Sequence, residues 1–331
     1  MTKVRVGIIG LGSWGVSHLE AFQSLPHVEV VAVCDQRPER LQALADKTGS
    51  ATCYEHAHAV CERNDIDLVS VVTFEHDHLA PVLGALRAGK HVLVEKPVAT
   101  TIDEARKMQA VATEQGRFLM PGHLLRFDPR YAGIYQSIHN DQIGAPVSIH
   151  LKRSRQKSLY TTYQRTHTVY ELMVHDIDLA LWYAGSRVTA VKAYERSLQG
   201  GKTPELLWAC LEFENGTVAM LHSNWLMPDE AGIAIADAAE VIGKTGIASF
   251  ETTNAGLQIW DRSGRSTPDF AIHSHVAGQV VGALREQLSY ICSCVMQHEN
   301  PNYLSFDDAI HGIQVAAAIM QSAETRAEVK L

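Results

Sequence analysis

The sequence predicts an α/β protein with an N-terminal Rossmann domain on a parallel sheet and a C-terminal α+β domain on a large open, mainly antiparallel sheet. Three observations support this prediction. Short β-branched runs alternate with helical spacing over about the first 120 residues. A GxGxxG motif joins the first strand to the first helix, and long alternating strands follow in the second half. The change of pattern places the domains at 1–122 and 123–331.

The first half alternates strand and helix. VRVGIIG is a β-branched strand, and SWGVSHLEAFQSLP has helical spacing with Ser13 as a candidate N-cap. VEVVAVCD is a second strand, and PERLQALADKTG is a helix that ends at Gly49. DLVSVVT, a helix at 77–88 and HVLVEK continue the alternation. This order predicts a parallel sheet covered by helices on both faces.

The second half has a different pattern. Helices are expected at 128–140 and 168–184, and two more close the chain at 278–296 and 305–327. Between them lie the strands VTAVKAYERS, LLWACLEFENG, TVAMLHSNWLM, AAEVIGKTG and IASFE. Because ENG and GKTG turns separate these strands, we expect an antiparallel meander.

Composition limits the class of protein. A chain of 331 residues that is 46% hydrophobic and 20% charged can form two hydrophobic cores. The net charge of -8, without a basic stripe, argues against a nucleic-acid partner. Six cysteines without CxxC spacing indicate free thiols and a cytoplasmic location. The sequence shows no signal peptide and no apolar run of about 18 residues, so we expect no membrane partner.

The motif GLGSWG, from Gly10 through Ser13 and Trp14 to Gly15, predicts a dinucleotide site. Gly10 permits a tight turn, Gly12 lets a pyrophosphate approach the backbone, and Gly15 lets the helix pack on the strand. Asp35, at the end of the second strand, is placed to bind the adenosine ribose. The cofactor is therefore expected to be NAD. Because the neighbouring Arg37 could pair with a phosphate, NADP is the alternative.

The segment HVLVEKP ends an apolar strand with Glu95 and Lys96. In open parallel sheets the carboxyl ends of the strands carry the ligand sites, so Lys96 could donate a hydrogen bond to a substrate oxygen. Glu95 could orient that lysine or contact the nicotinamide ribose. A solvated Glu-Lys pair is the alternative interpretation. The bond before Pro97 could be cis.

The helix TVYELMVHDIDLALWYAG carries a polar stripe at Glu171, His175 and Asp178. A carboxylate one turn before a histidine favours an imidazole that can accept a hydroxyl proton, and Asp178 could bind a neighbouring sugar hydroxyl. The alternative is a purely structural histidine. Asp176 points elsewhere on the helix and is interpreted as a structural or salt-bridge residue.

The segments GLGSWG, AGKHVLVEKP, GHLLRFDPRY and HDIDLALWYAG, in this order, resemble the family of glucose-fructose oxidoreductase, inositol 2-dehydrogenase and the rhizopine catabolism protein. The resemblance runs from about Val4 to about Glu324. It implies NAD(P)-dependent oxidation or reduction of a sugar or polyol, with Lys96 and His175 as the catalytic pair. It also implies a homodimer or homotetramer that forms through the C-terminal sheet. Inositol dehydrogenases have an aspartate where this chain has Glu171.

Further residues complete the predicted site. Thr73, Phe74 and His78, in the loop after DLVSVVT, are expected on the nicotinamide side, and His123 could face the substrate cleft. Arg153 and Arg155 stand where inositol dehydrogenases have a run that reaches the polyol, so we hypothesise an anionic substrate. Arginines on an exposed strand face are the alternative.

The HxH pairs at 56–58, 76–78 and 273–275 lack the cysteine or acidic partners of a closed zinc site, so no metal is expected. Three functions stay open. The first is an NAD(P)-dependent dehydrogenase acting on a sugar, an inositol-like polyol or an acidic sugar. The second is an NAD-using glycosidase that works by transient oxidation and elimination, and the third is a non-enzymatic cofactor sensor.

Overall fold

The computed structural model describes residues 3–198, 200–201, 203–253, 257–261, 264–266 and 270–331. The chain forms two compact units. The first comprises Met1–Phe127 and Ala271–Ile310, and the second comprises Asp128–Phe270 and His311–Leu331. Residues 271–310, which the sequence analysis assigned to the second domain, therefore pack with the first.

The first unit contains a six-stranded parallel sheet in the order β3-β2-β1-β4-β5-β6. This is the Rossmann order, in which the strand sequence reverses direction beside β1. The strands are β1 (Val4–Ile9), β2 (Val28–Cys34), β3 (Thr52–Tyr54), β4 (Leu68–Val71), β5 (His91–Val94) and β6 (Leu119–Pro121). β4 and β5 are buried along their whole length, as expected for strands with helices on both faces.

The helices of this region follow the predicted alternation. They are α1 (Ser13–Gln23), α2 (Pro38–Ala43), α3 (Ala45–Thr48), α4 (Ala57–Cys61), α5 (Leu79–Arg87) and α6 (Ile102–Gln115). The predicted helix after β2 is in fact two short helices, α2 and α3. The predicted Ser13 cap is wrong, because Gly12 occupies the N-cap position and Ser13 is the first helical residue.

The second unit contains a seven-stranded sheet in the order β12-β11-β7-β10-β9-β8-β17. Its pairs are antiparallel except for β7 with β10, so the predicted open sheet is mixed and mostly antiparallel. The strands of this sheet are β7 (Pro146–Gln156), β8 (Val188–Arg196), β9 (Leu206–Phe213), β10 (Val218–Met227), β11 (Ile235–Gly243), β12 (Ile247–Glu251) and β17 (Val329–Lys330). Two separate two-stranded sheets are formed by β13 (Ile259–Asp261) with β14 (Gly264–Ser266) and by β15 (Ser274–Val276) with β16 (Gln279–Val281).

The later helices are α7 (Pro129–His139), α8 (Lys157–Tyr163), α9 (Val174–Ala184), α10 (Ala283–Gln297) and α11 (Phe306–Thr325). The hairpin of β15 and β16 and the helix α10 belong to the first unit. Leu284 and Leu288 of α10 share a buried cluster with Leu19 and Phe22 of α1. Burying these side chains explains why a distant segment returns to the Rossmann unit.

The cysteines are free, as predicted. Four of them are buried, Cys210 is half-buried, and Cys53 is exposed. Within the part of the chain that the structure describes, no helix has the length and apolar character needed to cross a bilayer.

Candidate active site

The loop between β1 and α1 has the geometry that its glycines predict. Gly10 has φ +99°, and a Cβ there would lie 2.5 Å from the carbonyl oxygen of Val72. A Cβ on Gly15 would lie 2.0 Å from the carbonyl oxygen of Gly10, so this glycine is required for close packing. A Cβ on Gly12 would meet no atom within 4 Å. The space beside Gly12 at the start of α1, where no side chain caps the helix, therefore fits a pyrophosphate.

Asp35 is fixed beside this loop. It follows β2 and is buried, and its Oδ2 accepts a hydrogen bond of 2.9 Å from the backbone N–H of Leu11. Its Oδ1 accepts one of 3.0 Å from the N–H of Arg37, and Arg40 Nη1 lies 3.2 Å from Oδ2. The Asp35 carboxylate is therefore held in a fixed orientation at the carboxyl end of the parallel sheet. Arg40 was not predicted as part of this site, since its only signal in the sequence is its position on the helix after β2.

Glu95 is a buried anchor at the end of β5. His18 of α1 places Nε2 3.1 Å from Glu95 Oε1, and the other ring nitrogen lies 3.1 Å from the hydroxyl of Ser70 on β4. Burial opposes ionisation of Glu95, but hydrogen bonds from His18 and Trp14 and the charge of Lys96 outweigh it and lower the pKa of the carboxyl. Glu95 therefore connects the end of β5 to α1.

Lys96 is half-buried immediately beyond β5, and the Lys96–Pro97 bond is cis, as the sequence allowed. His78 lies beneath this loop. Its Nδ1 is 3.0 Å from the carbonyl oxygen of Pro97, and its Nε2 is 3.2 Å from that of Thr73. His78 is 1% exposed, and its hydrogen bonds hold the Lys96 loop in place. Its role as a cofactor contact stays a prediction.

Two other predicted residues follow β4. Phe74 is 46% exposed, and its ring stacks on His76 with a centroid distance of 5.9 Å. Thr73 is half-buried and donates its hydroxyl to the carbonyl oxygen of Asp77 over 3.3 Å. Both residues lie at the same sheet edge as Lys96, because β4 and β5 are parallel neighbours.

His123 is buried beyond the end of β6, the strand that neighbours β5. The preceding residue, Gly122, lies against Glu95, since a Cβ there would approach Glu95 Oε1 to 2.8 Å. His123 thus directly follows a residue that packs against Glu95. Its role as a substrate ligand stays a prediction.

In the second unit the predicted histidine helix begins irregularly. Val169–Met173 forms a π-helical turn, and α9 starts only at Val174. The wider π turn changes the angular separation of Glu171 and His175 around the helix axis from the value that α-helical spacing predicts. Such turns are frequent at functional sites. His175 is half-buried and Asp178 is buried. One partner of the Glu171 carboxylate is Arg165, whose Nη2 lies 3.4 Å from Oε2.

The two arginines of β7 form an internal ion cluster. Arg153 is 2% exposed, and its Nη2 donates over 2.8 Å to Asp176 while its Nη1 donates over 2.7 Å to Asp237. Arg155 also pairs with Asp237, through Nη2 at 3.1 Å. Two carboxylates neutralise two guanidinium groups, which corrects the expectation that these arginines offer positive charge to an anionic substrate. The prediction that Asp176 is a salt-bridge residue is confirmed.

The carboxylates of this cluster respond differently to their surroundings. Burial raises the pKa of Asp176, although Arg153 acts in the opposite direction. Burial also opposes ionisation of Asp237, but Arg153 and Arg155 together outweigh it and lower the pKa of that carboxyl. Asp237 is therefore the more strongly stabilised anion.

Two models of one family match the chain. Residues 4–123 match the oxidoreductase family with an NAD-binding Rossmann fold, and residues 131–249 match the GFO/IDH/MocA C-terminal domain. The chain belongs to the GFO/IDH/MocA family. These matches confirm the resemblance seen in the sequence. They also confirm the predicted fold class and the NAD-binding Rossmann domain.

Individual relatives are named for inositol chemistry. Inositol 2-dehydrogenase of Salmonella paratyphi B is 30% identical over 194 residues, which are 58% of this chain and 57% of the relative. The chain thus spans less than two thirds of that relative's length. scyllo-Inositol 2-dehydrogenase (NAD(+)) of Bacillus subtilis is 26% identical over 99% of this chain and 96% of its own.

A solved structure shows the same fold over the whole chain. It is the scyllo-inositol dehydrogenase of Lactobacillus casei with bound NAD(H) and scyllo-inositol. The TM-score is 0.85 with 99% of each chain covered, at 21% identity. At this identity the likeness establishes the fold alone.

Proposed function

We propose that the protein is an NAD-dependent oxidoreductase that oxidises a secondary hydroxyl of an inositol-like polyol. The observation that carries the proposal is the position of Lys96. Lys96 directly follows β5, at the carboxyl end of the parallel sheet, where the glycine loop and Asp35 also lie. An ammonium at this edge fits a substrate oxygen held beside the nicotinamide end of a dinucleotide.

The residues divide the chemistry between them. Bound NAD supplies the hydride acceptor. The backbone of the Gly10–Gly15 loop holds the diphosphate, and Asp35 accepts hydrogen bonds from the adenosine ribose. Lys96 donates a hydrogen bond to the hydroxyl oxygen and stabilises the negative charge that develops there. We assign the removal of the hydroxyl proton to His175, with Glu171 as the carboxylate that orients its ring.

A neutral polyol is favoured over an acidic sugar. The internal pairing of Arg153 and Arg155 with Asp176 and Asp237 removes the cationic groups that motivated an anionic substrate. Buried charges that are already paired gain little from an additional anion. The names of the relatives point to inositols as the first compounds to test.

The proposal is tested by incubating the purified protein with NAD and a panel of inositols, hexoses and uronic acids while absorbance at 340 nm is recorded. Steady NADH formation with an inositol, faster than with the uronic acids, is the expected result. Release of an aglycone from a glycoside without net NADH would support the glycosidase instead. Binding of NAD with no turnover on any polyol would support a sensor.

Replacing Asp35 with serine is expected to weaken the preference for NAD. The variant loses a charged acceptor for the ribose, an interaction of about 1.5–3 kcal/mol, so KM for NAD should rise roughly 10- to 100-fold. It also frees Arg40 to pair with the phosphate of NADP. Kinetics with both cofactors measure the change, and the further replacement Arg40→Ala should remove any gain with NADP. An unchanged cofactor ratio would exclude Asp35 from this role.

We infer that copies of the chain associate through the open face of the seven-stranded sheet. Along β10 the side chains alternate, with Ala219 and Leu221 fully buried while Val218 and Met220 are each 40% exposed. On the same face Trp208 stacks on His222 with a centroid distance of 3.9 Å. The register also places the charged Lys152 and Glu240 on this face. Exposed aliphatic and aromatic side chains that lie beside such polar residues are typical of an interface. Light scattering should give a mass of two or four chains, and a monomer at micromolar concentration would contradict the inference.

A further inference from the structure

The histidine pair near the C-terminus gains an acidic partner in the folded chain. The HxH pair at 273–275 has no neighbouring carboxylate or cysteine in the sequence, so no metal was expected there. In the structure, one ligand atom from each of Glu20, His273 and His275 lies within 4.8 Å of the others. All three residues belong to the first unit. The missing partner comes from α1, more than 250 positions earlier in the chain.

The backbone at the start of β15 places the imidazole rings of His273 and His275 next to each other. His275 lies in β15, and His273 precedes that strand by one residue. Residues two apart on a strand face the same side, and the two rings stand 5.5 Å apart between centroids. β15 and β16 are joined by Ala277 and Gly278, which have φ +51° and +77°. Two such residues form the tight turn that favours a well-defined hairpin.

The carboxylate is already oriented toward the histidines. Glu20 Oε2 lies 3.4 Å from His273 Nε2, while Oε1 accepts from Lys47 Nζ over 2.8 Å. A tetrahedral zinc ion with ligands near 2.0–2.1 Å separates its ligand atoms by about 3.4 Å. The Glu20–His273 distance already matches this separation. Because His275 is exposed, its ring can move closer to Glu20 and His273 and reach the separation that a zinc site requires.

We propose that Glu20, His273 and His275 bind one zinc ion. Two imidazole nitrogens and one carboxylate oxygen are common zinc ligands, and a water molecule would complete the tetrahedron. The ion would connect α1 with the β15–β16 hairpin. It would therefore stabilise the packing of the returning segment on the Rossmann core, because a ligand that binds only the folded state raises its stability.

The test uses tag-free protein that has been freed of metal by a chelator and titrated with Zn²⁺ by calorimetry. We expect one zinc ion per chain in the wild type. His275→Ala and Glu20→Gln should each weaken binding by more than about 100-fold, the upper end for loss of an outer-shell group. His275 is exposed and Glu20→Gln keeps the side-chain shape, so both variants should fold. Far-UV circular dichroism checks this.

The pair His56 and His58 supplies a matched control. It is also an HxH pair with rings 5.7 Å apart, but within the described residues it belongs to no group of three metal-binding side chains. The double replacement of His56 and His58 by alanine should leave the zinc stoichiometry and affinity unchanged. Thermal scans add a second readout, since zinc should raise the Tm of the wild type but not of Glu20→Gln. Equal zinc binding by wild type and His275→Ala would overturn the proposal.

Discussion

Replacing Lys96 with methionine is expected to lower kcat by roughly 10²- to 10⁴-fold, the range for loss of a group that assists proton or charge transfer. Methionine keeps much of the side-chain length but can neither donate a hydrogen bond to the hydroxyl oxygen nor stabilise its charge. NAD affinity should change little, because the glycine loop and Asp35 stay intact. Steady-state kinetics with NAD and the best inositol, together with fluorescence titration of NADH, separate the two effects.

The matched control is Lys107→Met on α6, which removes an exposed lysine of the same unit and should leave kcat unchanged. His175→Gln tests the second group of the proposed pair. If both groups serve one proton transfer, the double variant should lose little more activity than the less active of the two single variants. The reason is that the effects of residues that act as a unit are strongly non-additive. Multiplicative losses, or full activity in Lys96→Met, would contradict the proposed chemistry.

The fold was predictable where local pattern determined the structure. The β-branched strands and the glycine turn identify the Rossmann sheet, since Gly10 and Gly15 can tolerate no side chain at their positions. The return of α10 to the first unit was not predictable. Its apolar residues look the same whether they cover one sheet or another, and only packing against Leu19 and Phe22 decides the partner.

In the candidate site, too, some residues were predictable from local sequence pattern and others depend on tertiary contacts. The position of Lys96 and Asp35 at the same end of the sheet was predictable, because the carboxyl ends of parallel strands lie together. His18 was missed, since a histidine in an apolar helix carries no signal until the structure places it beside Glu95 and Ser70. Arg153 was misread because its partners, Asp176 and Asp237, lie 23 and 84 positions away. Charge pairing between residues that are far apart in the chain has no local sequence signature.

The buried ion cluster leads to a prediction about stability. Replacing Arg153 with methionine is expected to reduce the free energy of unfolding by about 3–5 kcal/mol at neutral pH, the typical cost of removing one partner of a buried ion pair. Asp176 would lose both of its hydrogen bonds from the guanidinium, and Asp237 would keep only Arg155. Urea denaturation measures the change. The exposed Arg196 of the same unit gives a control, and Arg196→Met should cost under about 0.5 kcal/mol.

The pH dependence of the stability lost in Arg153→Met identifies the cause of that loss. Burial already raises the pKa of Asp176, and loss of Arg153 should raise it further. The pKa of Asp237 should also rise, because Arg155 alone of the two arginines would then oppose the effect of burial. The folded variant would bind more protons than the unfolded chain, so its stability should fall as pH rises above the unfolded carboxyl pKa of about 4. The difference from wild type should therefore be smaller at pH 5 than at pH 7.5. A difference that is constant with pH would indicate that Arg153 stabilises the unit by packing rather than by charge.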